Sequence, residues 1–223
     1  MTTLAAIACF ALLVSLGRWQ VARAHEKEAK QALYDARGRA APVVLAGPVA
    51  TAGEILYRRV RASGRWIAER QVFIDNQIRE GRAGFSVVTP LRLAGAQDVV
   101  LVNRGWIARG AGYPRPPPVP VPEGEVEVAG VAYLPPARFL ELSDKVVAGD
   151  VWQNLSIERL RKSSGLPLLP VVIQAGAAAA GLEATFEKPD AGVARHQEYA
   201  LTWFSLAATT LALWLALNVR RTR

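Results

Sequence analysis

Cysteine, methionine and histidine are nearly absent from this chain. Among 223 residues, Cys9 is the only cysteine, Met1 the only methionine, and His25 and His196 the only histidines. One cysteine excludes an intrachain disulfide, a CxxC redox or copper site and a CxxCH covalent haem attachment. With no methionine beyond the first residue, thioether copper ligation is excluded as well. There is no GxSxG elbow, phosphate-binding glycine loop, HExxH pair or dinucleotide glycine pattern. Asp75, Asp98, Asp144 and Asp150 are scattered and read as surface or turn residues, not as paired catalytic acids.

A one-signed charge run is also missing. The formal net charge is +8, but Arg18, Arg220, Arg221 and Arg223 sit at the edges of the terminal apolar runs. Between residues 21 and 198 there are 23 basic and 19 acidic side chains, an ordinary mixed surface that argues against nucleic acid as a partner.

Long apolar runs are what the chain does have, within an overall 51% apolar composition. Residues 199–219, YALTWFSLAATTLALWLALNV, carry no charge. As a helix they span about 30 Å, the thickness of a bilayer core. Trp203 and Trp214 stand toward the two ends, where interfacial aromatics belong. Residues 2–17 are likewise uncharged, with Arg18 and Trp19 at the boundary. A cleavable signal would carry basic residues ahead of the run, and none precedes Arg18, so this segment reads as an uncleaved anchor. Arg220, Arg221 and Arg223 favour a cytoplasmic C-terminus. Two spans then put both termini in the cytoplasm and the middle of the chain in the periplasm of a bacterium or the intermembrane space of a mitochondrion. Arg23, Lys27 and Lys30 oppose that orientation.

The middle of the chain reads as strands. After a polar helical extension to about Asp35, ended with the help of Gly38, β-like runs occur at 43–47, 54–66, 70–76, 84–93, 98–108, 125–131 and 167–175. EVEVAGV at 125–131 alternates outward glutamates with inward valines. Residues 113–122 hold six prolines and must form a stiff extended connector outside any sheet centre. NLSIERLRK at 154–162 predicts a short helix capped by Asn154 or Ser156. The expectation is an α+β fold: a strand-rich extramembrane domain with mostly antiparallel pairing, flanked by N- and C-terminal transmembrane helices. The predicted divisions are residues 1–36, 37–198 and 199–223.

The two histidines lie close to the two apolar segments, and two spans bring both to the same outer interface. Imidazole is a good iron ligand, and Trp19, Tyr199, Trp203 and Phe204 could cover a porphyrin at that depth. Solvated interface histidines are the plainer alternative.

LGRWQVARAHEK at 16–27, YRRVRASGRW at 57–66, GFSVVTPLRL at 84–93, VLVNRGWIARG at 100–110 and HQEYALTWFSLA at 196–207 together resemble the surfeit-locus protein 1 family of cytochrome c oxidase assembly factors, in its bacterial type. The resemblance runs from about Leu16 to Leu217. It implies a non-enzymatic factor of the cell inner membrane that assists haem a insertion into cytochrome c oxidase subunit I. It also implies haem A synthase as a further candidate partner beside the lipid bilayer. Its haem-linked histidine falls on His196, with Arg195, Tyr199, Trp203, Trp19 and His25 as candidate contacts. Gly17, Trp19 and Gln20 match the exit from the first helix, and Asn103, Arg104, Gly105 and Trp106 match the central motif. In that motif Trp106 reads as core and Gly105 as relief for a tight bend, with a partner-binding surface as the alternative. The chain departs from the family in having Arg195 where asparagine precedes the histidine, and Ser156 where an aspartate is usual. An oxidase-assembly scaffold that holds no haem and a membrane-anchored haem-modifying enzyme are the competing readings.

Overall fold

The structure, a computed structural model, describes residues 2–49, 51–135, 147–179, 181–185 and 190–219. It divides into two compact units, one of Met1–Ala36 with Pro189–Arg223 and one of Arg37–Lys188. The helices are α1 (Thr2–Arg39), α2 (Ile157–Ser164) and α3 (Val193–Asn218).

The first unit is built from α1 and α3. Each contains an 18-residue window of mean hydropathy 1.7, of which 11% is buried within the protein. A core helix of a soluble protein would hide such a window, whereas here Leu4 and Leu217 are 72% and 82% exposed. Apolar helices uncovered on this scale need an apolar solvent. Both are long and apolar enough to cross a membrane and support a two-span topology. The basic residues at 220–223, on which the expected orientation rests, lie outside the described residues.

Helix α1 runs to Arg39 instead of ending near Asp35. Arg37 and Arg39 favour its last turn through the helix dipole. Arg37 also donates to the carbonyls of Gly53 and Leu56, both at 2.9 Å, which offsets the helix cost of Gly38. Helix α3 starts at Val193, so Arg195 and His196 belong to its first turn. Gly192 stands before it in the left-handed region (φ 77°), its N–H donating to Asp190 Oδ1 at 2.7 Å.

The second unit contains, among the described residues, strands β1 (Val43–Leu45), β2 (Arg59–Trp66), β3 (Val72–Arg79), β4 (Arg82–Leu93), β5 (Val99–Ala108), β6 (Glu125–Tyr133), β7 (Val147–Ala148), β8 (Val151–Trp152) and β9 (Leu168–Ala175). Their order is β1-β2-β6-β9-β5-β4-β3-β8-β7, with β2 also pairing β4. That last pairing closes β2, β6, β9, β5 and β4 into a five-stranded barrel, from which β3, β8 and β7 extend. Six pairings are antiparallel, and β1–β2, β3–β8 and β5–β9 are parallel. This is the α+β, strand-rich architecture expected from the sequence.

Strands β5 and β9 are apolar on both faces because both faces are covered. Val100, Val102, Leu169, Val171 and Ile173 join the core cluster of Val60, Leu91 and Leu93. Val99, Leu101, Leu168 and Val172 join a second cluster with Trp152, Leu155 and Leu160. Leu160 comes from α2, which Ser156 caps by accepting the Arg159 N–H at 3.2 Å and which ends at Gly165 in the left-handed region. Asn154 has no part in that cap. Strand β2 begins at Arg59 rather than at residue 54. The reason is local: Thr51 and Glu54 form a capping box, with the Thr51 N–H donating to Glu54 Oε1 at 3.0 Å, and the chain turns there first.

Candidate functional site

On α1, Gly17, Gln20 and Ala24 recur at helical spacing and are buried; on α3, Ala200 and Ala207 are buried. These small residues form the seam of the helix pair, letting the backbones approach. Gly17 has no room for a side chain, since a Cβ there would lie 2.6 Å from the Phe204 ring. Phe204 therefore packs over the seam. Among the described residues Gln20 is the one polar side chain buried in it, 8% exposed, and its Oε1 lies 2.7 Å from His196 Nδ1. Farther along, the Ala191 N–H donates to Gln31 Oε1 at 2.8 Å, and Gln197 Nε2 donates to Glu28 Oε1 at 3.3 Å.

These cross-helix bonds assign flanks. Gln20 and His196 mark one side of the seam, Glu28 and Gln197 the other. His196 is half-buried; Trp203, also half-buried, lies two turns along the same face of α3, with Tyr199 between them and half-exposed. Arg195 is exposed and about 100° further round. Trp19 is on the Gln20 side but turned outward, 54% exposed. His25 is exposed, one turn before Glu28 and about 140° around α1 from Gln20. The fold thus gathers His196, Gln20 and Trp203, with Tyr199, Arg195 and Trp19 at the margin, and leaves His25 on the opposite flank. Among the described residues no group of three or more His, Cys, Asp or Glu could hold a metal ion. Any iron held here would rely on a lone imidazole. The partnership of Gln20 with His196 is not visible in motif matching. Its trace in the sequence is one amide at the polar end of an apolar segment, in step with Gly17 and Ala24.

Residues 103–106 lie in β5 of the second unit. Val87 pairs with Gly105 and Val88 with Asn103, so Arg104 is bulged out of the ladder. Gly105 has φ 142°, and a Cβ would lie 2.8 Å from the Glu183 carbonyl oxygen, two reasons for glycine there. Arg104 is 3% exposed. Its guanidinium donates to Gln71 Oε1 and to the Pro120 carbonyl, both at 2.9 Å, and stacks 5.3 Å from the Trp66 ring centre. Burial holds it below the ordinary arginine range. Gln71 in turn donates to the Val119 carbonyl at 3.3 Å, so these two side chains fasten the proline-rich connector to the barrel. Trp106 is 1% exposed, and its indole N–H donates to the Gln77 carbonyl at 2.8 Å. Asn103 donates to Gln174 Oε1 at 3.2 Å and accepts the Gly105 N–H at 3.2 Å. All four side chains or backbones of this motif are engaged within their own unit.

Beside the motif is a cleft of about 460 Å³ lined by Asn103, Trp106, Tyr133, Asn154, Gln174 and Thr185, among others. Burial pushes the Tyr133 hydroxyl up to about 12, against a smaller opposing effect of its hydrogen bond with Asn103. The folded protein therefore holds this proton more tightly than the unfolded chain, where tyrosine titrates near 10. The resulting stability is complete below pH 10 and is lost as pH rises through 12, about 3 kcal/mol in all. Tyr133→Phe is expected to remove that part of the alkaline loss, seen by comparing thermal melts of both proteins at pH 9 and pH 11.5.

A strand-rich domain, with a membrane-length helix before it and another after it in the chain, defines a two-span membrane protein. Residues 7–208 match the SURF1 family, and the chain belongs to that family. It is similar to the SURF1-like protein of Monosiga brevicollis, 26% identical over 91% of this chain and 82% of that protein. It is 28% identical to surfeit locus protein 1 of Mus musculus, over 93% of this chain and 72% of that protein. The SURF1-like protein of Rickettsia conorii is 25% identical, over 92% and 86% respectively. Family identity supports a role in cytochrome c oxidase assembly, and the members are non-catalytic assembly chaperones, in keeping with the expectation of a non-enzyme.

Proposed function

We propose that this protein takes up haem a as cargo at the α1–α3 seam and assists its placement in cytochrome c oxidase subunit I, as a bacterial-type member of its family. The observation that carries this reading is the 2.7 Å contact between Gln20 Oε1 and His196 Nδ1. An amide oxygen can only accept, so Nδ1 carries the proton and Nε2 keeps its lone pair for a metal. The residues present fit such a cargo. Haem supplies an iron that takes one imidazole, together with two carboxylates at its edge. His196 Nε2 binds, Trp203 and Tyr199 cover apolar surface, Trp19 closes the margin at the interface, and Arg195 offers a planar cation to a propionate. His25, on the far flank, contributes no second ligand within this helix pair, so the hold is open on one side and reversible.

In this reading the protein lies in the cell inner membrane with both termini cytoplasmic and residues 37–198 periplasmic. There it meets subunit I and receives its cargo from haem A synthase. The relative from Rickettsia conorii, matched over 86% of its length, supports the bacterial setting.

The test is an optical spectrum of the detergent-purified full chain expressed where haem a is made, beside His196→Ala. A haem a band that is largely lost in His196→Ala, with Tyr199 and Trp203 variants intermediate, is the expected result. A folded wild-type protein without haem would sink the carrier reading and leave a scaffold for oxidase assembly. Undiminished haem in His196→Ala would move the ligand elsewhere.

A further inference from the structure

We infer that Gln20 is a positioning residue: it sets the tautomer of His196 and, because it offers a neutral carbonyl instead of a carboxylate, keeps the donor strength of Nε2 low enough for cargo to leave. The inference rests on the carrier reading of His196.

Gln20 is 8% exposed and occupies the seam between Gly17 and Ala24, both buried. A buried amide at an otherwise small and apolar interface is costly unless paired. Its oxygen is paired to one ring nitrogen of the only histidine on α3. Among the described residues no hydrogen bond or ion pair joins an acidic side chain to His196 or Gln20: Glu26 is bound to Arg23 at 2.6 Å, and Glu28 accepts from Gln197 on the other flank. Metal-binding imidazoles donate their second N–H to a carboxylate, a carbonyl or water, and of these the charged carboxylate draws the proton most and strengthens the metal bond most. A carbonyl orients the ring equally well while adding no charge. In a low-dielectric seam that difference is large. The arrangement suits a protein that must present a ligand in the right orientation and then give up what it holds.

Two arms test this on the full chain in detergent. With only His25 and His196 present, nitrogen-15 spectra of histidine-labelled, haem-free protein resolve both rings. His196 is expected to carry its proton on Nδ1 in wild type and to shift toward the Nε2-protonated form in Gln20→Leu. For protein carrying haem a, the iron–histidine stretching band and the rate of haem loss to apomyoglobin are the readouts. Gln20→Glu, nearly isosteric, is expected to raise the band and slow haem loss about 10-fold, and Gln20→Leu to lower the band and speed loss by a similar factor. Identical bands and loss rates in all three proteins would overturn the inference while leaving His196 as ligand, and so would an unchanged tautomer in Gln20→Leu. Haem-free wild type would overturn the carrier reading and this inference together. Should Gln20→Leu fail to fold, Gln20→Glu alone still decides.

Discussion

Gly64→Ala is expected to cost about 4 kcal/mol or more and to leave the domain close to unfolded, against a typical domain stability of about 5–15 kcal/mol. A Cβ at residue 64 would stand 1.9 Å from the Arg92 carbonyl oxygen, 2.9 Å from its carbon and 3.2 Å from the Leu93 Cα. All three are backbone atoms, so no side-chain rotation relieves the contact. The obstacle lies where β2 serves two neighbours, with Gly64 in register with Val126 on β6 and with Leu93 on β4. Pushing β4 away would break the short Gly64–Trp66 pairing that closes the barrel and open the Leu91–Leu93 side of the core. Gly47→Ala is the control, since a Cβ there meets nothing within 4 Å, and its effect is expected to stay within about 0.5 kcal/mol. Thermal melting and protease resistance of the detergent-purified chains measure both. A Gly64→Ala protein that melts like wild type would mean the barrel can close some other way.

Trp106→Ala is the second large effect, expected at about 3–5 kcal/mol. The indole is 1% exposed, under the stacked Arg82 guanidinium 5.1 Å from its ring, and a Cβ on Gly84 would lie 2.4 Å from it. Truncation empties that volume and leaves the Gln77 carbonyl without its indole donor. Trp106→Phe refills most of the volume but not the hydrogen bond, so about 1–2 kcal/mol is expected to remain. The ordering Ala worse than Phe worse than wild type, in melting temperature and in oxidase content together, is the signature of a structural motif. Lost oxidase with unchanged melting would instead make residues 103–106 a surface for a partner.

Most of the elements were legible in the sequence because each obeys a local rule. The apolar runs at 2–17 and 199–219 announce helices in lipid, and EVEVAGV shows its burial pattern in its alternation. The limits of legibility were equally physical. β7 and β8 span two residues each, too short for any period to register. Strand β2 starts later than its residue pattern suggests because a capping box at 51–54 competes with strand. Helix α1 ends later than its residue pattern suggests because distant carbonyls of Gly53 and Leu56 hold its last turn. The parallel pairing of β5 with β9 has no local trace, since the two strands are separated by some sixty residues of chain.

For the candidate site, the sequence by itself determined the inventory: two histidines, two apolar helices, a lone amide at the end of the first, and the motifs of a family of assembly factors. Helical periodicity alone relates residues on one helix, because 3.6 residues per turn is a property of the backbone. Which faces of two helices meet depends on side-chain volumes and polar pairing across the seam, and these exist only once the chain has folded. Tertiary structure alone therefore joined Gln20 to His196, set Phe204 over Gly17, and put His25 on the opposite flank from His196. The same reason holds for the barrel, whose closure at Gly64 depends on two strands arriving from opposite sides at one residue too small to keep them apart.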